Sequence, residues 1–466
     1  MAAPVPKTAS KRVYDVAILG PDVGGAAAAA LIAKRGLRVV IATMGPVSAT
    51  READGFLLPT SAPIITPLRG LSGAAGVLDE LGLGADLQRQ AAATHGAFQL
   101  LGAKLRLSLP VDPARRRAEL RRELPDVQAT QAEAALDELE RLGRPWDPFL
   151  NEPPPLPARG FFERRRLRKI LPAPPVLPEG IIGECLAAVA PFAASLVGES
   201  APEATAREAA ALLRAPLRLW GGPALLAELL RKRAQEAGAD VVTEPVTSLR
   251  VERKGSTFEL AGTEIHVTTV ILACGRDAIE KLCEGGGRTE RKIVEESALE
   301  VVRKIVLAQY VVHADGLPLA LEAAALLLGN TMGPLVISTL PARKVRGEAS
   351  GERLLTVARV AEPGFSDAAA LLESVKAALE PVLPFFDRHI LHQSADLSPA
   401  CSHPILKTHP DAEPIGLRPI SEAHDHVLFA SASVYPGFGL EGQVLAARGA
   451  ADQALLLSGR KSVSAT

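Results

Sequence analysis

The feature that most constrains this chain is a glycine-containing segment near its beginning. The run from Tyr14 to Leu19 predicts a short buried strand, and Gly20 to Gly25 predicts a turn. Ala26 to Arg35 favours a helix that ends at Gly36, and Val39 to Ala42 predicts a second buried strand. A strand, a glycine turn, a helix and a second strand within about 30 residues form a Rossmann-type mononucleotide unit. We therefore expect an α/β fold built on a parallel sheet.

A second organised stretch lies in the middle of the chain. Ala224 to Ala237 predicts an amphipathic helix that ends at Gly238. Three short alternating strands then predict an antiparallel meander, at 248–253, 257–260 and 264–267. Val270 to Gly275 predicts another buried strand that leaves the sheet through a glycine.

The last organised stretch closes the chain. Val427 to Ala430 predicts a strand, residues 431–442 a loop, and Gln443 to about Leu457 a helix. Between the three stretches lie segments of different character, with an apolar helix near 181–197 and strands at 305–312, 334–340 and 353–360. The sequence therefore predicts one discontinuous nucleotide-binding domain (1–110, 205–290 and 411–466) interrupted by a second lobe (111–204 and 291–410).

Composition excludes several classes of protein. The 466 residues carry 52 basic and 53 acidic side chains, a formal net charge of −1, which argues against a globally basic nucleic-acid binder. The four cysteines, Cys185, Cys274, Cys283 and Cys401, have no C-x-x-C spacing, so a disulfide framework or structural zinc site is not expected. Neither a signal peptide nor an apolar run of about 20 residues is evident. We expect a cytoplasmic protein, and the Ala/Arg/Leu-rich composition suggests a bacterial source.

The three organised stretches resemble, in the same order, the flavin-dependent amine oxidase and phytoene (carotenoid) desaturase superfamily. The closing segment from Phe429 to Gly439, F-A-S-A-S-V-Y-P-G-F-G, is similar without gaps to the F-V-G-A-G-T-H-P-G-x-G loop of bacterial carotenoid desaturases. The resemblance implies a glutathione-reductase-like Rossmann FAD domain, which is discontinuous, and a second α+β substrate lobe. It also implies FAD as cofactor, with hydride transfer from an apolar small-molecule substrate to the flavin.

The resemblance assigns the cofactor's pyrophosphate to the opening turn. In the G-x-G-x-x-G pattern the three positions are Gly20, Asp22 and Gly25. Asp22 stands where a glycine lets the backbone approach the pyrophosphate, and it adds a Cβ and a carboxylate there. Without a ligand, an acidic residue at this helix start would instead stabilise the helix dipole by about 0.3–1 kcal/mol.

The remaining cofactor contacts are also implied by the resemblance. Thr43 occupies the position of the acidic residue that binds the adenosine ribose, and Arg51 is the nearest candidate for a family arginine after strand two. Val246 keeps the position whose backbone meets adenine. Gly437 and Gly439 belong to the turn that would place backbone N–H groups near the isoalloxazine ring.

Two functions follow from these substitutions. In the first, FAD binds through backbone amides and shape, and the chain is a flavin oxidoreductase resembling phytoene desaturases. In the second, the fold is kept while flavin binding is lost, and the chain is a non-catalytic binding or regulatory module. Because the cofactor would perform the chemistry, we nominate no catalytic residue.

Two other motifs suggest ligands or partners. The run from Phe161 to Lys169 combines aromatic and basic residues, which suggests peripheral contact with the inner face of an anionic membrane; a solvated basic linker is the alternative. His424-Asp425-His426 could bind a metal, but we interpret it as a polar turn and expect no metal site. With 4% aromatic residues, nucleic-acid recognition is not expected.

Overall fold

A computed structural model covers the chain and describes most of it. The described residues are 14–45, 47–62, 64–65, 72–90, 98–102, 104–143, 146–151, 161–162, 165, 169, 179–196, 202–214, 217–297, 299–348, 350–398, 401–407 and 420–459. The run from Phe161 to Lys169 is therefore described only in part.

The strands are, in chain order, β1 Tyr14–Leu19, β2 Val39–Ala42, β3 Thr50–Ala53, β4 Phe56–Pro59, β5 Ile64–Ile65, β6 Phe98–Gly102, β7 Leu105–Leu109, β8 Leu217–Arg218, β9 Asp240–Val242, β10 Val246–Glu252, β11 Gly255–Leu260, β12 Thr263–Leu272, β13 Glu300–His313, β14 Ala324–Leu327, β15 Leu335–Pro341, β16 Arg343–Lys344, β17 Glu352–Ala361, β18 Ile390–Ser394, β19 His403–Lys407 and β20 Val427–Phe429.

The α-helices are α1 Val23–Lys34, α2 Ser72–Glu80, α3 Gly84–Gln90, α4 Pro113–Glu123, α5 Asp126–Gly143, α6 Trp146–Asn151, α7 Ile181–Ala194, α8 Pro202–Arg214, α9 Gly222–Glu236, α10 Arg276–Leu282, α11 Arg288–Glu296, α12 Ala368–Leu379 and α13 Gly439–Leu457. Two 3₁₀ turns lie at Ala314–Gly316 and Phe386–His389.

The first sheet confirms the predicted parallel unit. Its order is β10-β11-β12-β1-β2-β9, and β20 adds to β12. Strand β1 is parallel to both neighbours, with Ile18 paired to Ile41 and to Ile271. Helix α1 is buried along almost its whole length because it packs against the sheet, α9 and α13. Its alanines allow this close packing, since they add little volume between the layers.

Two predicted boundaries, one of a strand in this sheet and one of the last helix, are wrong. The predicted strands at 264–267 and 270–275 form the single strand β12, which is exposed in its first half and buried in its second. The first half belongs to the antiparallel meander and faces solvent on one side, whereas the second half lies between parallel strands. The last helix begins at Gly439 instead of Gln443.

The second sheet contains the predicted strands of the second lobe. Its order is β18-β13-β17-β15-β14-β6-β7, with β19 also paired to β13. Strands β13, β15 and β17 confirm the three predicted strands, and α7 covers most of the predicted apolar helix near 181–197. Strands β6 and β7 lie in this sheet although they fall within the predicted segment 1–110; the boundaries of the five segments stay a prediction.

Side-chain contacts join the two sheets at the start of α9. Trp220 Nε1 donates a hydrogen bond to the carbonyl oxygen of Pro341 at 3.1 Å. The Arg343 guanidinium lies 4.4 Å from the centre of the Trp220 ring. The buried indole therefore connects the turn before α9 with the end of β15 and with β16.

Candidate functional site

A cavity of about 190 Å³ lies between the two sheets, and of the eight predicted cofactor residues only Asp22 is among its described lining residues. Pro21, Asp22 and Val23 of the opening turn form one wall, and Leu440 and Gln443 of α13 lie beside them. The opposite wall comes from α7, α8, β13 and β19 and includes Phe192, Leu212, Ile305, Leu307 and His403. The opening turn and the closing helix thus border one space, whereas Gly437 and Gly439 of the closing turn are not among its lining residues.

The glycines of the opening turn are required by packing. A Cβ on Gly20, which has φ +129°, would lie 2.0 Å from the carbonyl oxygen of Ala273. A Cβ on Gly25 would lie 2.4 Å from the Ala273 Cβ. A Cβ on Gly24 would lie 2.1 Å from the carbonyl oxygen of Ala430, next to β20. These glycines let α1 approach β12 and the closing segment, whether or not a ligand is present.

Asp22 lies at the start of α1 and faces the cavity. Its backbone is extended, with φ −61° and ψ 153°, and its carboxylate makes no capping hydrogen bond to the helix. Burial raises the pKa of Asp22 from 3.8 to about 7. A large fraction of Asp22 is therefore neutral at physiological pH, and a neutral carboxyl group can donate a hydrogen bond.

Arg231 of α9 reaches the same turn, which the sequence pattern did not predict. Its Nη1 donates to the carbonyl oxygen of Pro21 at 3.3 Å, and the residue is 7% exposed. Among the described residues, its buried Nη2 has no hydrogen-bond partner. Burial lowers the pKa of Arg231, and the carboxylate of Glu228 opposes this effect. An unpaired guanidinium donor beside the turn is suited to an anionic ligand.

Thr43 and Val246 lie outside the cavity lining. The Thr43 hydroxyl lies 2.7 Å from the carbonyl oxygen of Gly45 and 3.3 Å from that of Val242, so its proton is committed within the protein. Thr43 is also buried, which leaves no open acceptor for a ribose. Val246 is buried at the start of β10, where it pairs with Leu260.

The closing turn approaches helix α7 closely. Gly437 and Gly439 both have positive φ, +85° and +49°. A Cβ on Gly439 would lie 2.3 Å from the carbonyl oxygen of Ala193 in α7. Ser431 and Ser433 replace glycines of the resembled loop, and their hydroxyls lie 2.6 Å apart, so one donates a hydrogen bond to the other.

Arg51 is not among the lining residues of the cavity. Its Nη2 donates to Gln309 Oε1 and to Ser394 Oγ, both at 2.8 Å, which ties β3 to the second sheet. Its role in cofactor binding stays a prediction, as do the roles of Gly20, Asp22, Gly25, Thr43, Val246, Gly437 and Gly439.

A buried ion cluster holds the first turn of α13. Arg207 of α8 contacts Glu441 through Nη1, which also lies 2.8 Å from Glu208 Oε1. Asp147 accepts from Nη2 at 3.1 Å. Although burial alone would lower it, the pKa of Arg207 is raised by Glu441 and Glu208. Burial raises the pKa of Glu441, and Arg207 opposes this. The cluster fixes the closing helix beside the cavity.

Metal and thiol chemistry find no support at the site. In the part of the chain that the structure describes, no group of three or more His, Cys, Asp or Glu side chains could hold a metal ion. All four cysteines are buried thiols, and burial raises the pKa of the cavity residue Cys401 to about 11. Within the described ranges, no helix is both long enough and apolar enough to span a membrane.

Comparison with solved structures gives the fold. Putrescine oxidase with putrescine bound superposes with a TM-score of 0.60 at 14% identity, over 96% of this chain and 100% of that one. Cyclohexylamine oxidase from Brevibacterium oxydans gives 0.58 at 13% identity, over 96% and 100%. An oxidoreductase from Methanosarcina mazei gives 0.60 at 14% identity, over 94% and 99%. No protein-family model and no curated protein sequence matches the chain.

These likenesses extend over nearly the whole of each chain. At such low identity they establish the fold: a Rossmann-like domain joined to a second lobe, as in amine-oxidase-type proteins. The predicted fold class is confirmed. The likeness covers the second lobe as well as the nucleotide-binding domain, on which the sequence resemblance rested.

The pyrophosphate end of the site fits FAD, the cofactor implied by the resemblance, better than the ribose end does. The Asp22 side chain makes no capping hydrogen bond to α1, so it leaves the N–H groups of the first turn to an anion. Neutral Asp22 adds a donor there, and Arg231, which lies outside the cavity lining, has an unpaired donor next to the same turn. At the ribose end, Thr43 supplies neither charge nor an open acceptor.

Proposed function

We propose that this chain is a FAD-dependent oxidoreductase that acts on an apolar small molecule. The observation that carries the proposal is the cavity between the sheets, which has an uncapped helix N-terminus at one end and an apolar second-lobe wall at the other. Ligands of doubly wound folds bind at the carboxyl ends of parallel strands, where this cavity lies.

Each part of the cavity has a role in this proposal. The first-turn N–H groups of α1 and the neutral form of Asp22 would hold the pyrophosphate, and the Arg231 guanidinium, which contacts Pro21 from outside the cavity lining, would add positive charge near it. A bound flavin supplies hydride acceptance from a C–H bond. Phe192, Leu212, Ile305 and Leu307 would hold the apolar substrate and exclude water.

The electrostatics of the cavity bear on the substrate class. Two of the similar structures are named for amines, and one holds putrescine, which carries two positive charges at neutral pH. Among the described lining residues, Asp22 is the only carboxylate, and burial raises its pKa to about 7. A dication would therefore be poorly compensated here, so an uncharged substrate, as for the resembled desaturases, is favoured over a diamine.

The visible absorption spectrum of the purified full-length protein tests the proposal. We expect flavin absorption bands, and FAD in the supernatant after denaturation and removal of the protein. If the protein is purified without flavin, incubation with excess FAD followed by gel filtration should restore the bands. A protein that stays colourless after this treatment contradicts the proposal.

A second candidate, a binding or regulatory module without flavin, is favoured by two observations. The committed Thr43 hydroxyl gives no ribose contact. The cavity of about 190 Å³ is also smaller than the roughly 300–1,000 Å³ typical of sites for drug-sized ligands. The colourless outcome would support this candidate, and the retained cavity would then be its ligand site.

A further inference from the structure

A hydroxyl and an imidazole meet in the second-lobe wall of the cavity. Ser195 Oγ lies 2.7 Å from His403 Nε2, and both residues line the cavity. They come from the end of α7 and the start of β19, 208 positions apart in the sequence. Neither residue belongs to a motif of the opening or closing turn.

The backbone of Ser195 is held in a conformation that usually selects glycine. Ser195 ends α7 with φ 55° and ψ 29°, in the left-handed region. Its N–H donates to the carbonyl oxygen of Pro191 at 3.1 Å, and its own carbonyl accepts from Leu406 N at 3.0 Å. Glycine or asparagine is the common residue at such a helix end. A serine there keeps a hydroxyl in the cavity despite an unfavourable backbone, which points to a use for that hydroxyl.

The protonation of the pair determines what it can bind. Burial lowers the pKa of His403, so the imidazole is neutral at pH 7. The shared proton lies either on Ser195 Oγ or on His403 Nε2. In both arrangements Ser195 Oγ keeps at least one lone pair, so it can accept a hydrogen bond from a ligand.

Two neighbouring hydroxyls of the lining are already committed within the protein. Thr60 Oγ1 donates to the carbonyl oxygen of Ser48 at 2.8 Å. Ser61 Oγ donates to the carbonyl oxygen of Gly221 at 2.9 Å and accepts from Ala224 N at 3.1 Å. The protons of these two hydroxyls are therefore engaged, whereas the Ser195–His403 pair presents a hydroxyl and an imidazole that both line the cavity.

The size of the cavity and its apolar wall define the rest of the ligand. An engineered apolar cavity of about 150 Å³ binds benzene, so about 190 Å³ accommodates a single ring with one small substituent. Phe192, Leu212, Ile305 and Leu307 offer an apolar surface to such a ring. An uncharged ligand is favoured because the neutral pair provides no opposite charge.

We propose that Ser195 and His403 form the polar anchor of a binding site for a small, uncharged, ring-sized molecule with one hydrogen-bond-donating hydroxyl group. This site does not depend on the flavin proposal, because its contacts come from α7, β13 and β19 of the second lobe.

Phenol and toluene are suitable probes because they share a ring and differ in the hydroxyl. We expect calorimetric titration of the full-length protein at pH 7 to show saturable binding of both, with phenol about fivefold tighter, the usual effect of one neutral hydrogen bond. Ser195→Gly removes the hydroxyl and suits the left-handed backbone, so the fold should be kept. In this variant the ratio of phenol affinity to toluene affinity should fall to about one, while toluene affinity itself should stay unchanged.

The chain offers a matched control. Thr257 Oγ1 and His266 Nδ1 form a second hydroxyl–imidazole pair, also at 2.7 Å, between β11 and β12 and away from the cavity. Thr257→Ala should leave the phenol preference at about fivefold. The proposal is overturned if wild-type protein binds neither probe, if it binds both equally, or if Ser195→Gly weakens both by the same factor. If the protein prefers phenol but takes up no FAD, the flavin proposal is contradicted and the proposal of a Ser195–His403 site is supported.

Discussion

At the scale of single residues, Asp22 is the side chain on which the site depends most. Its carboxyl group occupies the position where the resembled family needs a bare backbone, and it has no capping hydrogen bond. Because its pKa is raised to about 7, its charge changes within the physiological range. Both the stability of the protein and its affinity for an anion should therefore depend on pH.

The stability contribution of Asp22 has a defined sign. The neutral form is favoured in the folded state, so its contribution is complete below pH 3.8, falls as the pH rises and is lost above about pH 7. We expect Asp22→Asn, which cannot ionise, to be more stable than wild type at pH 8 by about 2–4 kcal/mol and nearly equal to it at pH 4. Urea denaturation at the two pH values measures this difference. A difference that does not change with pH contradicts the burial of the carboxyl group.

Asp22 should also control FAD affinity. We expect Asp22→Gly to bind FAD more tightly than wild type, by about tenfold at pH 8, because it removes a charge next to the pyrophosphate. Wild-type affinity should fall as the pH rises through about 7, whereas that of the glycine variant should change much less. Quenching of FAD fluorescence measures both. An unchanged affinity would mean that Asp22 does not lie at the pyrophosphate.

At the scale of elements, the site exists because α1 packs directly on the closing segment. The close approach of Gly24 to the Ala430 backbone makes this contact, and Leu440 and Gln443 then lie beside the opening turn. The Rossmann unit alone would provide a helix N-terminus, whereas the contact with the closing segment turns it into one wall of a cavity.

A pair of glycine substitutions tests this contact. Gly24→Ala places a Cβ 2.1 Å from the carbonyl oxygen of Ala430, so it should destabilise the protein by about 1–3 kcal/mol. Gly76→Ala, in helix α2, places a Cβ in open space and should stabilise the protein by about 0.5–1 kcal/mol through helix propensity. The midpoint temperature of thermal unfolding should thus fall for Gly24→Ala and rise for Gly76→Ala. Shifts of the same sign would show that α1 and the closing segment are not in contact.

At the scale of the whole molecule, the Arg207 cluster joins α8 to the closing helix α13. Removal of the arginine would leave the buried carboxylates of Glu208 and Glu441 without their main positive partner. We expect Arg207→Met to destabilise the protein by about 3–5 kcal/mol. The double variant Arg207→Met with Glu441→Gln should recover part of this lost stability, because it also removes the buried negative charge of Glu441. Chemical denaturation of the three proteins measures this, and equal losses in both variants would contradict coupling between the two residues.

The basic segment presents a second question at this scale. Phe161 and Phe162 are 72% and 83% exposed, their rings are 5.8 Å apart, and Arg165 and Lys169 are also exposed. We propose that this segment binds anionic membranes peripherally.

Wild-type protein should float with phosphatidylserine-containing vesicles, and Arg164→Gln, Arg165→Gln and Arg166→Gln together should reduce this flotation. Arg121→Gln with Arg122→Gln, in a surface cluster already paired with glutamates, is the control. Wild-type protein that does not float contradicts the proposal.

Local sequence patterns predicted the framework well because they depend on neighbouring residues. The β1–α1–β2 unit and strands β13, β15 and β17 follow from apolar periodicity and from where glycines interrupt it. The start of α13 was predicted four residues too late, because Gly439 and Gly442 are poor helix formers. The packing of the first turn against α7 and the ion cluster at Glu441 outweigh that propensity.

The sequence by itself determined the two-lobed α/β scaffold. It also determined the glycines of the opening turn and the unusual Asp22 that lies between them. Only the tertiary structure revealed Arg231 at that turn, the Arg207–Glu441 pair across 234 positions and the Ser195–His403 pair across 208. The physical reason is the range of the interactions. Strand and helix patterns are set by residues within a few positions, whereas the side chains that face a cavity come from distant segments that only folding brings together.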